Sequence, residues 1–213
     1  MTSLLSELAQ RHNSDKLQHT FTDFYHGLLA VDRLAVTKVL EIGIFHGGSL
    51  LMWADYFPNA IIHGVDIEPK TVDHPRIKCH QVDQGSKEAL VSLITTIGGD
   101  FDFIIDDGSH IIKHQQISWA VLYPHLKSGG YYIIEDLHTS LIPWYQTANM
   151  PLTCYGLTTD NTFDVLYNYQ RSGHLRSQHL TTDEALYIQA RVVSITTYWG
   201  NTGMSVTSAL KKR

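Results

Sequence analysis

Hydrophobic residues recur along the chain with two alternating periods. Lys38–Ile42 (KVLEI) is a short apolar run with β-branched members, stopped by Gly43, and predicts a strand. Between residues 49 and 57, Leu50, Met52, Trp53, Tyr56 and Phe57 fit one face of a helix, which Pro58 ends. Residues 60–65 predict a second strand closed by Asp66, and 76–82 a third. Lys87–Ile97 has helical composition and breaks at Gly98-Gly99, and 101–105 predicts a fourth strand. A helix over 114–126 and a fifth strand over 131–134 follow, joined by Lys127-Ser-Gly-Gly130.

After Glu135 the regularity fades. Residues 137–154 hold two prolines and Trp144, and are long for a connection, as lids and binding segments often are. Residues 161–170 suit one more helix. Residues 191–198 alternate, 200–203 read as a turn, and 204–209 return as a hairpin partner. Strand–helix alternation with short turns predicts an α/β, Rossmann-like doubly wound sheet, mostly parallel and closed by an antiparallel C-terminal strand.

Composition narrows the class. The 213 residues, 43% hydrophobic and 17% charged, fit one globular domain with a real core. No run approaches the roughly 18 consecutive apolar residues of a membrane helix, and the N-terminus lacks the basic start of a signal peptide. Cys79 and Cys154 have no CxxC spacing, so a reduced, cytoplasmic setting is expected. The net charge of -5 argues against a broad nucleic-acid surface. Most of the 13 histidines are isolated and read as surface or hydrogen-bonded residues.

Candidate chemistry gathers at strand ends, where doubly wound sheets bind ligands. The first turn reads Gly43-Ile-Phe-His-Gly-Gly48. Phe45 takes the place where a dinucleotide fingerprint needs glycine, so a cofactor without phosphates fits better. Glu41 puts a carboxylate near this loop, suited to a cationic ligand. Asp66 is placed to accept from ribose hydroxyls, and Asp83-Gln84 to meet an adenine amino group. Singly, each is equally well a turn residue; in this order they favour a nucleoside site. Asp106-Asp107-Gly-Ser-His110 and Glu135-Asp136 follow neighbouring strands. Three converging carboxylates, Asp107, Glu135 and Asp136, repel unless a cation sits among them, and oxygen ligands suit Mg²⁺, Ca²⁺ or Mn²⁺. His110 is near enough to take a proton from a metal-bound hydroxyl. Turn and capping roles are the plainer alternative for these acids.

Val39–Gly43, Gly47–Leu50, Gly64–Ile67, the DDGSH segment 106–110 and the EDLHTS segment 135–140 resemble the sugar O-methyltransferases of macrolide and related natural-product pathways. The mycinamicin-type enzymes and the so-called cephalosporin hydroxylases share these segments. Ser14-Asp15-Lys16 followed by His19 is similar to the group's entry motif. The resemblance covers roughly residues 13 to 140. It implies a seven-stranded class I methyltransferase fold that uses S-adenosylmethionine and Mg²⁺ to methylate a hydroxyl of a sugar or glycosylated natural product. The implied cofactor contacts are Glu41, Gly43, Gly47, Ser49, Asp66, Ile67, Asp83, Gln84 and Asp106; the metal ligands are Asp107, Glu135 and Asp136; the general base is His110. One domain spans residues 1–213, with 1–36 as an N-terminal cap and 137–190 as an acceptor-binding insertion, and the additional N-terminal domain of the macrolide enzymes is not expected. The expected partner is a small-molecule acceptor, not nucleic acid or membrane, with a homo-oligomer left open.

Lys16 and His19 either close over the cofactor or belong to a solvated segment. Tyr25, Trp144 and Tyr145 either stack on an acceptor or are partly buried aromatics, and Arg171 and Arg176 either meet an anionic acceptor or face water. Two other classes remain: an Fe(II) oxygenase, in which His110 and His138 join a carboxylate as a facial triad, and a non-catalytic cofactor-binding subunit. The nucleoside pocket counts against the first, and the intact acid cluster against the second.

Overall fold

Strand and helix alternate through the middle of the chain in a computed structural model that describes residues 2–30, 32–141, 160–201 and 205–213. Two N-terminal helices come first, α1 (Leu4–Arg11) and α2 (Phe21–Leu29), with a single tight turn at Asp15–Leu17 between them. The central series is β1 (Lys38–Ile42), α3 (Gly48–Tyr56), β2 (Ile61–Asp66), β3 (Ile77–Gln81), α4 (Lys87–Ile97), β4 (Phe101–Asp106), α5 (Ile112–Leu122) and β5 (Leu126–Ile134). It is followed by α6 (Thr162–Ser172), α7 (Thr182–Gln189), β6 (Val192–Trp199) and β7 (Val206–Lys212).

The seven strands form one sheet in the order β3-β2-β1-β4-β5-β7-β6. The first five pair in parallel, and β7 runs antiparallel to both β5 and β6. This is the expected doubly wound sheet with its reversed last strand. Its two faces are covered differently. Leu40, Ile42, Ile104 and Ile134 pack with Leu90, Trp119, Leu166 and Ile188 on the side of α4 to α7. Val39, Ile105 and Ile133 face the other way, toward Leu5, Phe21, Tyr25 and Trp53 of α1, α2 and α3. Because side chains alternate along a strand, Glu41 and Glu135 follow Val39 and Ile133 onto this second face, whereas Asp106 follows Ile104 onto the first. That parity separates Glu41 and Glu135 from Asp106.

Four elements differ from the sequence reading. The helices α1 and α2 were not expected; they form because Leu5, Leu8, Phe21 and Tyr25 have an apolar sheet face to cover. Helix α7 also went unassigned, although Thr181 and Glu184 form a capping box at its start. Strand β5 begins at Leu126 rather than near Tyr131, with Gly129 at φ +82° and a register shift opposite Phe101 and Phe103. Among the described residues no helix is long and apolar enough to cross a membrane. Trp144, Tyr145, Cys154, Gly203 and most of the long connection after Glu135 lie outside the described residues.

Candidate active site at the strand ends

A cavity of about 610 Å³ opens beyond the carboxyl ends of β1, β2 and β4, where the chain order reverses. Gly43, Ser49, Asp66, Ile67, Asp83 and Gln84 line it. Gly43 has φ +93°, and a Cβ there would stand 2.0 Å from the Asp107 carbonyl oxygen, so the turn closes only with glycine. Asp66 Oδ2 accepts from the Ile44 N–H at 3.1 Å and its Oδ1 from the Glu68 N–H at 3.0 Å. The carboxylate therefore fixes the glycine turn while one edge faces the cavity. Phe45, 70% exposed at φ +47°, stands in the cavity mouth. Asn13, Ser14 and Asp15 complete the wall from the N-terminal segment, and His114 closes it beside Ser109.

Next to the cavity are two carboxylate groups that share Asp107. In the outer one, ligand atoms of Asp107, His110 and Asp136 lie within 4.8 Å of one another, and all three residues line the cavity. His110 Nε2 is 3.3 Å from Asp136 Oδ2, and His138 Nδ1 is 3.7 Å from Asp136 Oδ1. Burial raises the Asp136 pKa, with His110 working against the rise. Burial, with His110 and His19 nearby, holds the His138 imidazole down to about 4. The inner group is Glu41, Asp107 and Glu135. Lys16 enters it from the N-terminal segment: its Nζ lies 3.0 Å from Glu41 Oε1, 2.6 Å from Asp107 Oδ2 and 2.8 Å from Glu135 Oε1. Lys16, Glu41 and Glu135 are each at most 2% exposed. Burial raises the pKa of both glutamates, while around Lys16 the three carboxylates outweigh burial and raise its pKa well above the ordinary lysine value.

No family model matches the chain. It is 41% identical over 162 residues to the mycinamicin VI 2''-O-methyltransferase of Micromonospora griseorubida, covering 71% of this chain and 40% of that one. Over 151 residues it is 42% identical to a rhamnosyl-tetracenomycin-C 3'-O-methyltransferase of Streptomyces olivaceus, covering 66% and 38%. The MycE methyltransferase of the mycinamycin biosynthetic pathway, solved in complex with Mg, SAH and mycinamycin VI, superposes with a TM-score of 0.77. Its identity is 32%, over 99% of this chain and 55% of that one. This chain belongs to the macrolide sugar O-methyltransferase family. It spans about two fifths of the length of the curated relatives it matches.

Some expected contacts are placed elsewhere. Gly47 does not line the cavity; at φ +80° it caps α3, and a Cβ there would strike Val72 at 2.6 Å. Asp106 is 1% exposed on the α5 side of the sheet. Its Oδ1 accepts from Gln84 Nε2 at 2.7 Å, and the Ser118 hydroxyl donates a short bond to Oδ2. Burial lifts its carboxyl to about 6. Gln84 Oε1 in turn accepts from the Ser109 N–H at 2.9 Å. Gln84 and Asp106 therefore brace the loop that carries His110. Glu41 meets the ammonium of Lys16 rather than the cavity, and Glu135 meets it too while sharing a candidate ligand group with Asp107. Tyr25 is a core residue at 0% exposure, while Arg171 and Arg176 are exposed. Sequence reading left Lys16 undecided, though the Ser14-Asp15-Lys16 motif was the signal for it, and it missed His114 entirely.

Proposed function

We propose that this chain transfers the methyl group of S-adenosylmethionine to a hydroxyl of a sugar carried by a natural product. One observation carries this reading: a cavity walled by the glycine turn and Asp66 runs directly into the Asp107–His110–Asp136 group. The names of the relatives support the acceptor class. Asp66 and Asp83 would hold the ribose and adenine, Ile67 would pack on the base, and the backbone at Gly43 and Ser49 would hold the remainder. A carboxylate-lined wall without a phosphate cradle suits a sulfonium nucleoside.

The hard oxygen donors of Asp107 and Asp136 fit Mg²⁺, with Glu135 directly behind them. When bound, the ion supplies charge that makes acceptor hydroxyls easier to ionise. The residues of the chain do the rest. The His110 imidazole, held beside Asp136, removes the hydroxyl proton. The acceptor oxygen then attacks the methyl carbon in line as the C–S bond breaks, leaving S-adenosylhomocysteine, the methyl ether and a proton on His110. Alignment of the two substrates accounts for much of the rate. Residues 1–36 act as a cap, through the wall residues at 13–15, and 137–190 supply acceptor contacts.

Calorimetric titration with S-adenosylmethionine and S-adenosylhomocysteine, each with Mg²⁺ and with chelator, tests the cofactor assignment. Binding of both nucleosides, followed by methylation of rhamnosylated or mycinamicin-type acceptors, is the expected result. No binding in either condition overturns the reading.

A further inference from the structure

Three aromatic side chains form a shelf outside the cavity already described. The Trp199 ring meets Phe163 edge to face, with centroids 5.6 Å apart at 70°, and Phe163 stacks on Tyr167 at 6.2 Å and 9°. Arg171 stands over the Tyr167 ring at 5.5 Å and closes the far end of the row. Trp199 is 57% exposed and Tyr167 46%, whereas Phe163 packs partly into the core on the α6 side of the sheet. Adjoining rings in this arrangement present one broad apolar face. A contiguous face of that kind held open to water, unlike singly scattered apolar residues, marks a place where something binds.

The fold fixes where the shelf stands. Ile134 pairs with Ser208 and Ser208 with Thr197, and two residues further on Trp199 pairs with Val206. Continued past the end of β5, that register sets Trp199 level with Asp136 and two strands across from it, about 10 Å at the usual strand spacing. Helix α6 is tied to the loop after β5, since the Phe163 N–H donates to Ser140 Oγ at 3.4 Å. The chain beyond Trp199 is held from the opposite face. A Cβ on Gly200 would stand 2.5 Å from the His19 carbonyl oxygen, and the Thr20 and Tyr198 hydroxyls are 3.1 Å apart. The rings are thus anchored on both sides, and none of the three lines the nucleoside cavity.

We propose that Phe163, Tyr167 and Trp199 form a subsite for the aglycone of the acceptor, the extended apolar part of the molecule beyond the methylated sugar. This rests on the function proposed above. A sugar hydroxyl placed beside His110 leaves the rest of the glycoside to extend away from Asp136, and the shelf lies at that remove on the same end of the sheet. Ring faces and the Arg171 guanidinium suit a large, flat ring system, which stacks on aromatic side chains over a wide area. Because the rings are already held in place, little side-chain freedom is lost when the aglycone settles on them.

The test compares rhamnosyl-tetracenomycin C with methyl rhamnoside, which carries the sugar without the aglycone, as acceptors for the whole chain. Wild type, Trp199→Ala, Tyr167→Ala and Trp199→Phe are measured side by side. Wild type should prefer the tetracenomycin glycoside, and each alanine variant should lose about tenfold of that preference in kcat/KM, chiefly through KM. Trp199→Phe, which keeps a ring, should retain most of it. S-adenosylhomocysteine affinity should stay within about twofold throughout, since the shelf is outside the nucleoside cavity. An unchanged preference in both alanine variants overturns the proposal and leaves the methyltransferase reading standing; a dimer lost in Trp199→Ala on sedimentation would then assign the shelf to a second copy of the chain. If wild type methylates neither acceptor, that reading fails, and calorimetry with the tetracenomycin glycoside decides the shelf. Binding that is lost in Trp199→Ala supports an aglycone site, and no binding, or equal binding by both, overturns it. If Trp199→Ala does not fold, Tyr167→Ala decides by the same comparison.

Discussion

His110 and Asp136 meet at 3.3 Å, Nε2 to Oδ2, and both have left-handed backbones, at φ +56° and +54°. Non-glycine residues hold that conformation only where the surroundings enforce it. Here the Thr139 hydroxyl donates to the Asp136 carbonyl at 2.9 Å and reaches the His110 carbonyl at 3.4 Å. Two loops from different strands are thereby locked so that an imidazole and a carboxylate face the cavity together.

Replacing His110 with Ala should lower kcat by about 100- to 10,000-fold, the usual contribution of a positioned general base. S-adenosylhomocysteine affinity should stay within about twofold, since His110 lies at the acceptor end. Steady-state kinetics beside calorimetry separates the two effects, and equal loss in both would remove His110 from the proton-transfer role.

Asp66→Ala should act the other way. It removes a ribose acceptor and also frees the Ile44 and Glu68 N–H groups that fix the glycine turn. We expect a loss of about 1–3 kcal/mol in nucleoside affinity, roughly ten- to hundredfold in Kd. Mn²⁺ binding by the same variant should be unchanged, which distinguishes local loss from unfolding.

Gly43→Ala tests the closest backbone approach in the site. With a Cβ 2.0 Å from the Asp107 carbonyl oxygen, either the β1 turn or the Asp107 loop must move. A stability loss of about 2 kcal/mol or more is expected in urea unfolding, together with weakened nucleoside binding. Gly129→Ala, at a positive φ but with nothing near it, should cost only about 1 kcal/mol.

The acid side of the stability curve should depend on His63, far from the site. Burial, then His80 and the nearby Lys38 and Lys78, push its imidazole down to about 4 from 6.5. Its Nδ1 is 3.0 Å from His80 Nε2, so the pair shares one proton position. The unfolded chain takes up a proton first as pH falls, so stability held above about pH 6.5 is lost progressively toward pH 4. The loss is at most about 3 kcal/mol for this group. His63→Gln should flatten that slope in urea midpoints measured across the range, and an unchanged slope would assign it elsewhere.

Much of this protein was legible in the chain alone. Strands β1 to β4 and helices α3 and α4 follow from local apolar periodicity, because each must present one face or stripe to a core. The glycine turn, Asp66 and the acids after β4 and β5 follow from position, because ligands gather at strand ends in this architecture. Tertiary structure alone decided how those acids are used. Strand parity sends Glu41 and Glu135 to one face and Asp106 to the other. The partner on the Glu41–Glu135 face, Lys16, is 91 residues away from Asp107 and 119 from Glu135. No local pattern reports a contact at that separation, and burial, which turns a polar N-terminal segment into the floor of a charged site, exists only once α1 and α2 have packed against the sheet.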